Sequence, residues 1–523
     1  MSDPRLREST FSQYCLDAFR RRGSNIAFTQ GNRHLTGSEC HEQTLAIAAV
    51  LEDNGVARGD GVCLLSGNRP EAFLAQVAVQ LIGARYTGLH PMGSFADHAF
   101  VVENSEARVL IYDPTAYSDR AVALEAAAAG VSVFSLGPGP VGNDILALSK
   151  SAALPVSRAM ESDIAFVFYT GGTSGKPKGV IHTQRSWYHQ SLLIQSYWQW
   201  PSDPVLLVAA PISHAAGAMV APALALGGRV VLVDGFAPTE FLRTIEAERV
   251  SVTFLVPTML YHLLNHPETR QRDLSSLQTL IYGAASITLE RLAEARDLFG
   301  AILMQGYGQT EIGNGALLLL KQDHRLDAPE ILASAGRTPP GVEATILLDD
   351  GTDAALGEPG ELCFRSASVM SGYWKLPELT SETLQGGWLH TGDIAVQDAA
   401  GYITIVDRKK DMLISGGFNV YPKEVEEALN QHPLVTAAVV VGIPDPTWGE
   451  AVVALIKTVE GAHVEPDELK AWVREHKGPV YTPKHVAFVI DFPMTGLGKI
   501  NKKAIRREYS HVSDPVADPR GKE

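Results

Sequence analysis

Short apolar runs alternate with longer amphipathic ones through the first third of the chain. Leu45, Ala48, Val50 and Leu51 fall near helical spacing and predict a helix. A Gly-Asp-Gly turn leads into Val62-Cys-Leu-Leu65, which reads as a strand. The stretch 72–82 reads as a helix, 85–89 as a short apolar run and 107–112 as the next strand. Strands separated by helices predict a parallel α/β sheet. The rhythm returns at 204–210, 229–233, 252–256 and 279–282, each an apolar run bounded by Gly, Pro or polar residues.

After Asp407 the texture changes. The segment 423–430 carries Val425, Ala428 and Leu429 on one helical face, and 466–476 carries Leu469, Trp472 and Val473 on one face. Between and after them, 437–442, 451–457 and 484–490 read as strands. This pattern predicts a small α+β domain behind a large α/β one. The polar tail beyond Tyr509, with two Asp-Pro pairs, predicts disorder.

The 523 residues exceed what a single ordinary core needs, so two or more domains are expected. A hydrophobic content of 45% and a charged content of 20% suit a globular enzyme. The formal charge of −15 argues against a nucleic-acid partner. Cys15, Cys40, Cys63 and Cys363 are scattered and form no CxxC pair, which favours reduced, buried thiols over a disulfide framework or zinc site. The polar N-terminus carries no apolar signal region, and the longest apolar stretch, 215–228, is too short to span a bilayer. A cytoplasmic protein without membrane insertion is expected.

Against that acidic background, Tyr169-Thr-Gly-Gly-Thr-Ser-Gly-Lys-Pro-Lys-Gly179 packs four glycines and two lysines into eleven residues. Glycines let backbone N–H groups approach a polyanion closely, and lysines add compact positive charge. The loop is suited to phosphates. It is not a Walker A loop, because Pro177 stands where that motif needs Ser or Thr. Further motifs follow in order: Pro211-Ile-Ser-His-Ala-Ala-Gly217, Tyr282-Gly-Ala-Ala-Ser286, Gln305-Gly-Tyr-Gly-Gln-Thr-Glu311, Trp388-Leu-His-Thr-Gly-Asp393, Asp407-Arg408, Ser415-Gly-Gly417 and Pro493-Met-Thr-Gly-Leu-Gly-Lys499.

This series resembles the signatures of the adenylate-forming superfamily, which comprises acyl- and aryl-CoA synthetases, nonribosomal adenylation domains and firefly luciferase. The fold the resemblance implies is α/β. A large N-terminal domain, 1–409, has parallel-rich sheets, helices and a distorted barrel, and a small mobile α+β lid domain, 410–523, turns about a hinge near Lys410. The resemblance assigns Thr170, Gly171, Gly172, Thr173, Ser174, Gly175 and Lys178 to the ATP phosphates, with Thr310 on phosphate and Glu311 on Mg²⁺. Gly283, Ala284 and Ala285 would lie against adenine and the acyl group, Tyr282 standing where the family has a second Gly, and Tyr307 and Gly308 of the second signature would belong to the cofactor site. Asp393 would accept from the ribose hydroxyls, and Arg408 would lie near ribose or phosphate. Gly416 and Gly417 would line the pantetheine tunnel, His214 would gate the acyl pocket, and Lys499 would be the catalytic lysine bridging carboxylate and α-phosphate.

The region after His214, Ala-Ala-Gly-Ala-Met-Val-Ala, offers no acidic side chain to pair with a substrate ammonium, which disfavours an α-amino acid. Ala215, Ala216, Gly217 and Ala218, with Gly306, Gly308, Gly313 and Gly315, would make a roomy apolar cavity if they line it. That suits a fatty, aryl or polycyclic acid. The implied reaction is ATP-dependent formation of an acyl-AMP, then transfer to CoA. An acyl carrier protein is the alternative acceptor, and a non-catalytic nucleotide-binding homologue is the alternative of another class. Homodimerisation is compatible with the sequence but has no signature in it.

Overall fold

The computed structural model describes residues 10–148, 158–170, 177–285, 287–415, 418–445, 448–459, 461–494 and 500–509. Their contacts divide into two units. The first holds Met1–Ala344 and Phe364–His390, and the second holds Thr345–Cys363 and Thr391–Glu523.

The first unit contains two eight-stranded sheets. In one, the inner strands Leu303–Gln309, Thr279–Gly283, Val252–Leu255, Val205–Val208, Arg229–Leu232 and Ile26–Gln30 run parallel to their neighbours. In the other, Ile164–Thr170, Arg85–Gly88, Gly61–Leu65, Ala107–Tyr112, Ser132–Ser135 and Asn143–Asp144 do the same. The parallel rhythm read from the sequence holds in these interiors. At the edges it does not. Gly313–Leu319 folds back antiparallel on Leu303–Gln309, Arg33–Thr36 on Ile26–Gln30, and Lys178–Thr183 on Ile164–Thr170, with the short strand Gly372–Tyr373 outside it. Parallel neighbours need a crossover, whereas antiparallel ones accept a short turn. Two of these three hairpins, those of Thr170 with Lys178 and of Gln309 with Gly313, carry a signature between their strands.

Three helices share one core with strands of both sheets: Phe11–Arg22, Gly37–Asp53 and Pro70–Ile82. Thr36 and Glu39 form a capping box at the start of the second. The third begins on Pro70, ends at Gly83 with φ +84°, and is buried at every position. Such a helix is apolar all round because it has no solvent face. Its one acid, Glu71, is 2% exposed and is answered by Arg33 and by Arg69 at 3.3 Å.

In the second unit, strands Val435–Asp445, Gly449–Thr458 and His485–Phe488 form a sheet whose residues alternate between two clusters. Val440, Val452 and Ala454 meet Val425, Leu429, Leu469 and Val473 of the helices Pro422–Asn430 and Pro466–Lys477. Val439, Val441 and Val453 meet Ile505 of the helix Lys502–Tyr509. The expected α+β texture is present. The compact unit also takes in Thr391 to Arg408, ahead of the 409/410 boundary expected from the sequence. Compactness and a rotation axis are different properties, and that boundary concerns the second.

All four cysteines are buried free thiols. Among the described residues no helix is long and apolar enough to cross a membrane.

Two histidines of the first unit are buried as neutral rings. His182 and His324 are 0% and 1% exposed, and burial pushes each imidazole from 6.5 down to about 4. The unfolded chain therefore binds these protons first. Stability is complete above about pH 6.5 and declines as pH falls toward 4, at up to about 1.4 kcal/mol per pH unit per histidine. Urea midpoints measured from pH 7.5 to 5, above most carboxylate titration, are expected to fall steadily. A flat profile across that window would contradict the burial of two neutral imidazoles.

Candidate active site

The strand pair Ile164–Thr170 and Lys178–Thr183 places Thr170 directly opposite Lys178. The glycine-rich residues between them, Gly171, Gly172, Thr173, Ser174 and Gly175, lie outside the described residues. A Walker A loop runs from a strand into a helix; this loop joins two antiparallel strands, so the distinction made from Pro177 is also one of topology. Gly179 has no room for a side chain, since a Cβ there would meet Val167 Cγ1 at 2.7 Å and Trp374 Cβ at 3.1 Å.

Along Lys178–Thr183 the side chains alternate, so Lys178, Val180 and His182 share one face. Lys178 Nζ stands 4.7 Å from the ring centroid of Tyr373. His182 Nε2 lies 2.7 Å from the Thr310 carbonyl oxygen. A carbonyl only accepts, so Nε2 carries the proton and Nδ1 accepts from Ser186 Oγ at 3.2 Å. The neutral ring enforced by burial is the form this arrangement needs.

Thr310 and Glu311 sit at the turn of the other signature-bearing edge hairpin, just after Gln309, which pairs with Gly313. Tyr373 Oη donates to Glu311 Oε1 at 2.8 Å, and Met370 N donates to the Glu311 carbonyl at 2.7 Å. Burial and the Glu311 carboxylate push the Tyr373 phenol well above its ordinary 10, so it stays a donor. The structure thus brings Thr170, Lys178, Thr310 and Glu311 into one continuous set of contacts. Tyr373 and His182 are its connectors, and neither stood out in the sequence. The only hint of Tyr373 was an aromatic pair, Tyr373-Trp374, after a glycine.

For Mg²⁺ the donor set fits. Among the described residues no group of three or more His, Cys, Asp or Glu could form a protein cage. Glu311 instead offers one carboxylate with one oxygen already oriented. A small hard ion that keeps its waters and takes phosphate oxygens needs little more from the protein.

Gly283 pairs with Gly306 in the parallel ladder, and a Cβ on Gly283 would fall 2.3 Å from the Gly306 carbonyl oxygen. Ala284 follows with φ +68°, a left-handed conformation that costs a non-glycine residue free energy of about 1 kcal/mol or more, and Ala284 and Ala285 are exposed. Tyr282 points the opposite way, fully buried, with Oη 2.9 Å from His324 Nε2. Its bulk, which loosened the match to the glycine pattern, is packed in the core. The Tyr307 ring lies 6.1 Å from Phe364 at a 34° tilt.

Several of the glycines read as small residues of an acyl cavity lie close to other parts of the protein. A Cβ on Gly315 would meet Trp198 Nε1 at 2.5 Å, and one on Gly306 would meet Trp198 Cζ2 at 3.4 Å. A Cβ on Gly308 would fall 2.1 Å from the Gly313 carbonyl oxygen, one on Gly313 2.6 Å from the Gln190 side chain, and one on Gly217 1.8 Å from the Ile212 carbonyl oxygen. On the side where a Cβ would stand, these five are approached by protein atoms. His214 Nδ1 lies 2.8 Å from Ser213 Oγ, and its ring meets His90 edge-on at 4.5 Å. Dense surroundings push the His214 imidazole down to about 3, although part of its surface is exposed. Asn314 Nδ2 donates to the Ala215 carbonyl at 3.0 Å, tying this segment to the Glu311 hairpin.

In the second unit, Asp393 and Arg408 face each other across an antiparallel pair, and Arg408 Nε lies 2.5 Å from Asp393 Oδ1. Asp393 is 2% exposed, with its N–H held by Thr391 Oγ1 at 3.0 Å. Asp407 accepts from its neighbour Arg408 N at 2.7 Å and from Lys423 N at 2.8 Å, at the start of the helix Pro422–Asn430. Burial raises its carboxyl pKa above the ordinary value. Lys410 is exposed in the turn that follows. Gly416, Gly417 and Lys499 lie outside the described residues.

Comparison with known proteins agrees with these motifs over most of the chain. Residues 16–374 match the model of the AMP-binding enzyme family, and residues 424–499 match that of the AMP-binding enzyme C-terminal domain. The medium/long-chain-fatty-acid–CoA ligase FadD8 of Mycobacterium tuberculosis is 40% identical, over 96% of this chain and 91% of its own. A feruloyl-CoA synthase of Amycolatopsis is 37% identical, over 92% and 96%. The solved structure of the amide bond synthetase McbA from Marinactinospora thermotolerans superposes with a TM-score of 0.88 at 36% identity, covering 95% of this chain and all of that one. With the paired edge hairpins, the Glu311 turn and a family match across far more than half its length, this chain belongs to the AMP-binding enzyme family of adenylate-forming enzymes.

Proposed function

We propose that this protein is a cytoplasmic, AMP-forming acyl-CoA synthetase acting on a hydrophobic carboxylic acid of the fatty, aryl or polycyclic class. The observation that carries the reading is the end-to-end similarity to acid–CoA ligases, together with the Lys178, Thr310 and Glu311 cluster. In the first half-reaction a carboxylate oxygen attacks the α-phosphorus of ATP, the bond to the bridging oxygen breaks, and pyrophosphate leaves. In the second, the CoA thiol attacks the acyl carbon, AMP leaves and the thiol proton is released.

The residues divide this work. Thr170, Gly171, Gly172, Thr173, Ser174, Gly175 and Lys178 receive the phosphates, with Thr310 adding a hydroxyl. Glu311 would hold Mg²⁺, which supplies charge neutralisation on the departing pyrophosphate. Gly283, Ala284 and Ala285 pack against adenine and acyl group, Tyr307 and Gly308 belong to the cofactor site, Asp393 binds the ribose hydroxyls with Arg408 beside them, and His214 closes over the acyl group as a neutral ring. Lys499 bridges carboxylate and α-phosphate. The small domain, 410–523, turns about Lys410 between the half-reactions and brings Gly416 and Gly417 to the pantetheine arm. Keeping water from the mixed anhydride requires such a lid.

A second reading has its own support in the 36% identity to an amide bond synthetase. There the same acyl-adenylate would be taken by an amine nitrogen instead of a thiol.

Products of the purified protein with ATP, Mg²⁺, CoA, an amine mixture and a panel of aliphatic, aryl and polycyclic acids, read by mass spectrometry, separate the readings. Acyl-CoA is the expected product. Amide without thioester would replace CoA by an amine. Acyl-AMP alone would point to a carrier-protein acceptor, and ATP binding without pyrophosphate release would refute the enzyme. Lys499→Ala is expected to reduce acyl-adenylate formation by a hundredfold or more, on the scale of a lost transition-state charge contact, while sparing thiolysis of a supplied acyl-adenylate. Equal loss in both half-reactions, measured by single-turnover kinetics, would contradict the role given to Lys499.

A further inference from the structure

Tyr373 occupies the two-residue strand Gly372–Tyr373, which pairs antiparallel with Ile181 and Val180 at the edge of the second eight-stranded sheet. Its ring is 7% exposed. Its backbone is fixed on both sides: Tyr373 N donates to Thr380 Oγ1 at 2.8 Å, and Trp374 N donates to the Gly179 carbonyl at 2.7 Å. A tyrosine buried for packing alone would be better as phenylalanine, because an unanswered hydroxyl is costly to desolvate. Here the hydroxyl is used. It donates to Glu311 Oε1 at 2.8 Å and takes a hydrogen bond from Thr383. The face of the same ring stands 4.7 Å from Lys178 Nζ.

One side chain thus touches both charges of opposite sign in this part of the unit. A glutamate on a turn would otherwise lose its rotamer freedom on binding a cation, which weakens the binding. The phenol restricts that freedom in advance, and its ring gives the Lys178 ammonium a neutral neighbour. We propose that Tyr373 is a positioning residue for the phosphate end of the nucleotide site, aiming the Glu311 carboxylate for a divalent cation while its ring supports Lys178. The proposal rests on the reading of Glu311 as the cation-holding carboxylate.

Tyr373→Phe keeps the ring and removes the bond to Glu311. The test is isothermal titration of the whole protein with ATP, once with Mg²⁺ and once with EDTA, alongside Glu311→Gln. Thermal melts of the unliganded proteins serve to check folding. Tyr373→Phe is expected to bind ATP in EDTA as the wild type does, because the ring still supports Lys178. It should lose about tenfold of the gain in affinity that Mg²⁺ brings, the usual scale for a group that orients a metal ligand. Tyr373→Phe with a full Mg²⁺ gain, when Glu311→Gln has lost it, would overturn the proposal and leave Glu311 in its role. A full gain in both variants would overturn the proposal and the reading of Glu311 together. Equal weakening of Tyr373→Phe in EDTA and in Mg²⁺ would also overturn it, since the hydroxyl would then not act through the carboxylate.

Discussion

The candidate site depends on the register of one strand pair. Ile164–Thr170 and Lys178–Thr183 meet with Thr170 opposite Lys178, and that pairing sends Lys178 and His182 to the same face. A slip of one residue would turn both to the other side. It would also displace Tyr373, whose strand is read off the free edge of Lys178–Thr183. Two groups that act on the Thr310–Glu311 turn, the His182 ring and the Tyr373 phenol, are therefore placed by the same ladder that places the lysine. The glycine-rich loop is exposed to this constraint too, because both of its ends are anchored by it.

This arrangement answers a problem set by the charge of the chain. A protein of net charge −15 that handles a triphosphate must concentrate cations locally and keep its own carboxylates from competing for them. Lys178 and Glu311, the two residues proposed to act on phosphate and cation, carry opposite charges and would attract one another. The ring of Tyr373 beside the ammonium and its hydroxyl on the carboxylate give each charge a neutral partner. His182 contributes in the same spirit. Burial keeps it uncharged, so it fixes the Thr310 carbonyl without adding a positive charge.

Much of the frame was legible in the sequence because periodicity and turn chemistry are local. The strand 107–112 and the helices 423–430 and 466–476 are found within a residue or two of their expected ends. The signatures around Tyr169, Gln305 and Trp388 were legible because each is a contiguous run of unusual composition. Tyr373 and His182 were not, because their roles are contacts at sequence separations of 62 and 128 residues. Nothing in the neighbouring residues announces such a partner. The antiparallel edges escaped for a related reason: a strand's direction is set by its neighbours, and the apolar run is the same either way.

The glycines show where composition misleads. A missing Cβ is space only until something else moves into it, and in a close-packed interior something usually does. Trp198, 2% exposed, lies over both Gly306 and Gly315, and the hairpin carrying Glu311 closes on itself through Gly308 and Gly313. The glycines therefore bring backbones and an indole together in the two strands that flank the Glu311 turn. Trp198, large and buried against two glycines, shows that a run of small residues in a sequence can mark the place of one large side chain.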